Sequence, residues 1–434
     1  MVQSDKICCL IDPKSSNNSY IFKVTIPSTI TESFINLATQ KHQDYANLAG
    51  FKKGLAPISY IQEHFKAPIV SHLKDLGLKF FGINTLLQHI RSQKIVVAGE
   101  PELKDIQIDN LGNLTYSFEV FVPKEVYMQS WKYLPFKPVA RKKYRDIDKQ
   151  VLSFLQEEED FQKKFNPDKG IQVGDWVYFK TWLVGQDGKP IFNQSAAPAW
   201  IKIGDEEPDI EFQNIFVGKK IGDRITTNNL GIQRYFCENS YSEYMFVIKI
   251  EDIVPSAYLN IETFKQYFKI KNNKELLNKI TEIFSFNNDI SQRRTIAYDA
   301  LSLIIKKNQF VLPDQAIRYK RSQILQEIQY KSDFLIYKMD PNFENDLTNM
   351  AKKQLLDTIV TETIGYQDNI NVLSHDIKAI LQLTQRPRLK DFLYFPFLKT
   401  QIQGQEFPIE HEHLYHYALK EKTVNHIIYH LTKK

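Results

Sequence analysis

The chain has 434 residues, 43% of them hydrophobic and 13% aromatic, and a net charge of +5. This length predicts two to four domains with ordinary hydrophobic cores, and the mild positive charge suits, without requiring, a partner that carries phosphate. Three cysteines, two of them adjacent, argue against a disulfide framework, and no apolar run reaches the roughly 18 residues that cross a bilayer.

Residues 1–123 are predicted to form one small α+β domain. Alternating residues predict strands at 7–10, 20–26 and 114–123. Apolar residues at helical spacing predict three helices between the second and third strands.

The loop between the first two of these helices does not suit a core. Its candidate contact residues are Gly50, Phe51, Lys52, Lys53, Gly54 and Pro57. Glycine allows a positive φ and proline favours the start of a helix, so we expect the aromatic ring and the two cations at an exposed tip. There the ring can anchor a contact while the cations pair with phosphate or carboxylate. The alternative is an ordinary turn in which Phe51 folds back inside.

Residues 124–165 change in character. Four cations and one tyrosine occupy positions 141–145, and a helical stretch with an acidic end follows. The cluster is either an RNA contact or, more commonly for such a run, the solvated side of a linker helix.

The remainder divides into a β-rich part and a helical part. Residues 166–255 contain strands separated by glycine turns, with a short helix near residues 209–216. From residue 256 onward glycine almost disappears, and charged and apolar residues alternate at helical period.

The loop resembles the Gly-Phe-Arg-x-Gly-x-x-Pro signature of the bacterial trigger factors, which are ribosome-associated chaperones. Lys52 replaces the usual arginine, which keeps the charge and loses the planar fork of donors. The resemblance extends by module order to nearly the whole chain and implies a multidomain α+β fold. It implies an N-terminal α+β ribosome-docking domain at 1–123, a linker arm at 124–165 that packs with the C-terminal domain, an FKBP-like β-rich domain at 166–255 and an all-helical chaperone domain at 256–434.

The strand order of residues 166–255 is similar to that of FKBP-type peptidyl-prolyl isomerases, the middle module of trigger factors. Amide resonance sets an isomerisation barrier of about 20 kcal/mol, and an aromatic pocket lowers it without a nucleophile or metal. The resemblance places Tyr178, Phe192, Ile210, Phe212 and Phe246 at this pocket. The turn at 187–188 and the segment 235–243 depart in length from the family, so isomerase activity is expected to be weak or lost if these aromatic residues are only core.

Two further clusters have more than one interpretation. Histidines at 411, 413, 416, 426 and 430 suggest a metal site, but the H-E-x-x-H pattern is not met, so structural or surface roles are expected. The aromatic run at 392–397 suits a client-binding surface, a hinge, an oligomer contact or a core. No phosphate loop is present, and we expect no ATP, cofactor or metal.

The sequence therefore predicts a cytoplasmic chaperone with no membrane partner and no secretory signal. It would dock at the ribosomal exit site, on protein and rRNA, and hold unfolded nascent polypeptides through apolar helical surfaces, with peptidyl-prolyl isomerisation as an added activity. The alternatives are a stand-alone peptidyl-prolyl isomerase whose helices recruit substrate, and an RNA-binding scaffold that uses the cluster at 141–145.

Overall fold

A computed structural model describes residues 7–12, 19–45, 47–123, 128, 130–140, 145–185, 187–192, 195–237, 244–287 and 289–433. Positions 1–6, positions 141–144 of the basic cluster and positions 238–243 of the segment before the last middle strand lie outside these residues. Within the described ranges, no helix has both the length and the apolar character needed to cross a membrane.

The N-terminal part is a four-stranded antiparallel sheet, in the order β1-β2-β4-β3, packed against helices. Its strands are β1 (Cys8–Asp12), β2 (Ser19–Ile26), β3 (Glu102–Ile108) and β4 (Leu114–Phe121). Its helices are α1 (Ser28–Tyr45), α2 (Ile58–His64), α3 (Lys66–Gly77), a π-helical turn (Leu78–Gly82) and α4 (Ile83–Ser92). The strands predicted at 7–10, 20–26 and 114–123 are present, whereas β3 escaped prediction because this edge strand is exposed along much of its length.

One long helix, α5 (Ile147–Lys164), follows the basic cluster and is held by residues from the C-terminal half. The ring of Phe154 lies 5.9 Å from that of Phe284. Buried Glu158 accepts two hydrogen bonds from Arg386, from Nε at 2.5 Å and from Nη2 at 2.8 Å. This paired geometry fixes both the position and the rotation of α5.

The middle part is an antiparallel sheet with two short helices. Its own strands are β5 (Trp176–Val184), β6 (Ala197–Lys202), β7 (Arg224–Thr227) and β8 (Met245–Val254), and its helices are α6 (Ile210–Phe216) and α7 (Leu230–Phe236). Successive residues of β5 point to opposite faces, so Val177 and Phe179 lie in one core while Trp176 lies in another.

The C-terminal part is mainly helical. Its helices are α8 (Ile261–Phe268), α9 (Asn273–Phe284), α10 (Gln292–Lys307), α11 (Asp314–Ile328), α12 (Phe334–Lys338), α13 (Phe343–Gln367), α14 (Ser374–Thr384) and α15 (His411–Thr432). Five two-residue strands complete it: β9 (Phe286–Asn287), β10 (Ile290–Ser291), β11 (Gln401–Ile402), β12 (Gln405–Glu406) and β13 (Ile409–Glu410). β13 pairs with β6, so the middle sheet has the order β13-β6-β5-β8-β7 and takes one edge strand from beyond residue 255.

The N-terminal and middle parts share one continuous apolar core. At their junction His72 Nδ1 lies 2.9 Å from the hydroxyl of Tyr244. Lys79 of the π-helical turn forms a 2.7 Å ion pair with Glu410 and lies over the ring of Tyr235 at 4.5 Å. These contacts join the N-terminal, middle and C-terminal parts of the chain at one place.

Candidate functional site

The loop at 50–57 is a double turn whose backbone is set by two glycines. Gly50 has φ +90° and Gly54 has φ +80°, and a Cβ at either position would have no neighbour within 4 Å. The constraint at these positions is therefore conformational, since most residues avoid positive φ. Pro57 lies directly before α2, and its carbonyl accepts the first helical hydrogen bond, from Ile61 N at 3.1 Å.

The side chains of this loop fit partly the exposed contact tip and partly the turn with Phe51 folded inside. Phe51 is half-buried, with its ring 5.1 Å from that of Tyr60, whereas Lys52 and Lys53 are exposed. Leu55 is 70% exposed and Ile58 56% exposed, so two exposed aliphatic side chains follow the lysines in the chain. Sequence reasoning did not select Leu55 or Ile58, because an apolar residue beside an amphipathic helix is usually core.

Gln43 of α1 anchors the loop from behind. Its Nε2 donates to the carbonyl of Ala56 at 2.6 Å, and Ala56 itself is buried. A turn fixed at both ends and open at its tip is a contact surface that needs little ordering when a partner binds.

The five residues that the sequence assigned to an isomerase pocket are divided among three environments. Phe192, Phe212 and Phe246 are at most 1% exposed and lie in one core. Tyr178 lies with Trp176 in the core on the other side of β5, and Ile210 is 55% exposed on α6. These residues therefore differ in their surroundings, and their assignment to an isomerase pocket stays a prediction.

N-terminal residues occupy the space beside Phe192. Its ring lies 6.1 Å from Phe34, 5.1 Å from Phe80 and 5.1 Å from Phe81. Phe80 also stacks on Phe236 at 4.8 Å, which in turn stacks on Phe246 at 5.1 Å. The aromatic side of the middle sheet is therefore covered by helix α1 and the π-helical turn.

Tyr178 has a different set of neighbours. Its ring stacks on Trp200 at 5.0 Å and lies 5.1 Å from the imidazole of His411. Burial raises the pKa of Tyr178 to about 12 and lowers that of His411 to about 4, which keeps both side chains neutral near pH 7.

Three of the five histidines near the C-terminus lie beside a polar partner. His413 lies 3.2 Å from Glu410, His416 lies 3.4 Å from the carbonyl of Leu87, and His426 lies 2.7 Å from Asp368. Among the described residues, no group of three or more His, Cys, Asp or Glu side chains is placed to hold a metal ion.

A second surface, which sequence reasoning missed, lies between α11 and α13. Five large apolar side chains there are 60% to 86% exposed: Tyr330, Leu335, Ile336, Tyr337 and Met339. We call this segment the arm tip. No residue of α12 is buried, although its sequence Phe-Leu-Ile-Tyr-Lys reads as core. A helix that is apolar on every side is normally enclosed, so this pattern carries no signal that α12 is exposed.

Comparison with known proteins finds similarity to the trigger factors. The family model for the bacterial trigger factor protein matches residues 12–154. The trigger factor of Psychrobacter cryohalolentis is 24% identical over 373 residues, covering 82% of this chain and 80% of that protein. That of Alkaliphilus oremlandii is 21% identical over 425 residues, covering 91% and 93%.

One solved structure, described as promiscuous substrate recognition in folding and assembly activities of the trigger factor chaperone, was also found. It covers 96% of this chain and 99% of its own, with 13% identity and a TM-score of 0.37. The chain is therefore similar to the bacterial trigger factors, by the family model over residues 12–154 and by relatives along most of its length.

Proposed function

We propose that this chain is a trigger factor, a ribosome-associated chaperone, and that it docks on the ribosome in the cytoplasm through the loop at 50–57. The observation that supports this is the exposure of Lys52 and Lys53 at a turn fixed by Gly50 and Gly54. Two cations at a rigid tip match a phosphate-bearing or carboxylate-bearing surface, while Leu55 offers an apolar contact beside them.

Ribosome co-sedimentation tests the docking proposal. We expect the triple variant Phe51→Ala/Lys52→Ala/Lys53→Ala to lose binding that the wild type retains. If two phosphates are neutralised, the binding constant should fall with salt with a log–log slope of about −1.4 to −1.8. The matched control is Lys306→Ala/Lys307→Ala, which removes the same charge from another exposed pair. Equal binding by the triple variant and the control would assign the loop to a simple turn.

We propose that the arm tip holds unfolded nascent chains. Its side chains are of the types that bind unfolded segments, and each buried CH₂ contributes only about 0.8 kcal/mol. Binding by a few such groups is weak and reversible, so a client can leave and fold. An exposed patch of this kind on a folded protein usually marks a partner site.

We infer that prolyl isomerisation is at most a secondary activity of the intact chain. Phe192 and Phe246 are buried under N-terminal rings, so a proline ring reaches them only if the N-terminal part moves away. We therefore expect little acceleration of isomerisation of a short Pro-containing peptide. Strong turnover by a chain that fails to bind ribosomes would instead favour the stand-alone isomerase.

A further inference from the structure

A cleft between helices α8, α9, α10 and α15 is lined by more positive than negative charge. Its volume is about 710 Å³, which lies in the range of sites that bind small molecules. The described residues that line it include four cations, Lys269, Lys279, Arg293 and Lys422, and two carboxylates, Glu282 and Asp368. We call it the basic cleft.

The cations that α9 and α10 contribute to the basic cleft share one carboxylate. Lys279 Nζ lies 2.8 Å from Glu282, whereas Arg293 Nη1 lies 3.8 Å from the same side chain. Arg293 is 2% exposed, it donates to the uncharged amide of Asn425, and its Nε has no hydrogen-bond partner among the described residues. Burial lowers the pKa of Lys279 against the attraction of Glu282, and the Arg293 charge lowers it further. Two buried cations beside one carboxylate leave a positive charge that is costly to bury.

The position of Arg293 in its helix adds to this cost. It lies in the first turn of α10, which contains no acidic residue. The N-terminus of a helix carries a partial positive charge, which disfavours a cation there and favours an anion. A conflict of this kind within an otherwise consistent fold is expected at functional sites.

The neighbouring carboxylates already have cations of their own. Asp368 lies 2.9 Å from Lys132 and 2.7 Å from His426. Asp376, which is fully buried, lies 2.5 Å from Lys422. Neither carboxylate therefore offsets the surplus charge of Arg293 and Lys279.

Lys269 adds a further cation at the edge of the cleft. Its side chain is exposed and forms no ion pair with a carboxylate among the described residues. A hydrogen bond from Lys433 and the charge of Lys269 lower the pKa of Tyr429, another residue that lines the cleft. Positive potential therefore extends from the buried wall of the cleft to its edge.

A multiply charged anion with several acceptor oxygens matches these groups. A phosphate group carries up to two negative charges near neutral pH, whereas a carboxylate carries one. The side chains of Asn278, Asn369 and Asn371 also line the cleft and offer uncharged donors and acceptors beside the cations. Since the cleft has room for much more than one phosphate group, its volume favours a larger phosphate compound.

We propose that the basic cleft binds a small phosphate-bearing molecule, an oligophosphate that is either free or carried on a nucleoside. Lys269 and Lys279 contact the phosphate oxygens, and Arg293 contributes its charge from the wall behind them. The chain has no phosphate loop of the Walker type, so we expect binding without hydrolysis. This site goes beyond ribosome docking and client holding and depends on neither.

The test is isothermal titration calorimetry of the full-length protein with tripolyphosphate and, separately, with ATP. We expect Lys269→Asn and Lys279→Gln each to weaken binding of both compounds about tenfold, the loss of one charge-assisted contact. Asparagine tolerates the left-handed backbone at position 269, where φ is +54°, and glutamine keeps most of the stem of Lys279, so both variants are expected to fold. The matched control Lys274→Gln removes an exposed cation from α9 outside the cleft and should bind as the wild type does.

The comparison of the two ligands identifies the part that is recognised. Equal affinities would support recognition of the phosphate chain alone, and tighter binding of ATP would support recognition of the nucleoside as well. In both cases Lys269→Asn and Lys279→Gln should weaken binding, and circular dichroism of each variant without ligand should match that of the wild type.

Three results would overturn the proposal. The first is no binding of either compound by the wild type at low millimolar concentration. The second is an effect of Lys269→Asn and Lys279→Gln no larger than that of Lys274→Gln, which would mean diffuse attraction to a basic surface. The third is a wild type that binds neither compound while Lys269→Asn and Lys279→Gln lose ribosome co-sedimentation, which would assign these cations to ribosomal RNA. Loss of ribosome binding through the loop at 50–57, or of client holding by the arm tip, would refute the proposed function and leave this site unaffected.

Discussion

Glu362 of α13 should make the stability of this protein fall as pH rises from about 4.5 to 7. Its side chain is 2% exposed, and its Oε2 accepts a hydrogen bond from the backbone N–H of Val97 at 2.9 Å, which joins α13 to the N-terminal part. Burial raises the pKa of Glu362 from 4.5 to about 7, although that hydrogen bond and the Lys420 ammonium act in the other direction.

The sign of the effect follows from proton counting. Between pH 4.5 and 7 the folded state keeps a proton on Glu362 that the unfolded state has released, so raising pH favours unfolding. At about 1.4 kcal/mol per pH unit, the full cost above pH 7 is on the order of 3 kcal/mol. Glu362→Gln stays neutral and keeps an oxygen for the Val97 N–H.

We expect Glu362→Gln to be more stable than the wild type at pH 8, by about 1 to 3 kcal/mol, and close to it at pH 5. Urea unfolding followed by circular dichroism at pH 5, 6, 7 and 8 measures this difference. The matched control is Glu159→Gln, which removes an exposed carboxylate on α5 and should give a small difference that does not change over this range. A Glu362→Gln difference that is the same at pH 5 and pH 8 would refute the burial argument.

Two further predictions follow from side-chain exposure. Phe192→Ala should destabilise the fold by about 3 to 5 kcal/mol because it leaves a cavity in a packed core. Ile210→Ala should change stability by less than about 0.5 kcal/mol because its side chain is exposed. Equal, small losses of stability in the two variants would instead place Phe192 at an open pocket. Leu335→Ser/Ile336→Ser should suppress aggregation of an unfolded client several-fold less well than the wild type, with an unchanged midpoint of thermal unfolding. A lowered unfolding midpoint with normal suppression of aggregation would mean that these residues are packed.

Local pattern predicted the parts of this fold that depend on neighbouring residues. The alternation of residues 114–123 and the two glycines at 50 and 54 are local signals, and the structure shows the strand and the turn where they were expected. β3 has no such alternation, because its edge position leaves it largely exposed, and it was missed.

Local sequence patterns could not predict which distant segments pack against each other. Period-two alternation says that Tyr178 and Phe179 lie on opposite faces of β5, but it does not say which face meets which helix. Ile409 pairs with Trp200 across more than 200 positions, and nothing in either segment identifies the other. The arm tip was missed for the opposite reason: an apolar helix predicts burial, and here no residue of α12 is buried.

The shared core of the N-terminal and middle parts limits what the middle sheet can do. Separating them would expose five rings that now pack together: Phe34, Phe80, Phe81, Phe192 and Phe236. At about 1.5 to 3 kcal/mol for each buried side chain, the cost is on the order of 10 kcal/mol, so about one molecule in 10⁷ would be open at equilibrium. A peptide substrate cannot draw on so rare a state at useful concentrations. Isomerase activity at the covered face therefore requires a bound partner that offsets this cost, whereas the docking loop and the arm tip are accessible in the closed chain.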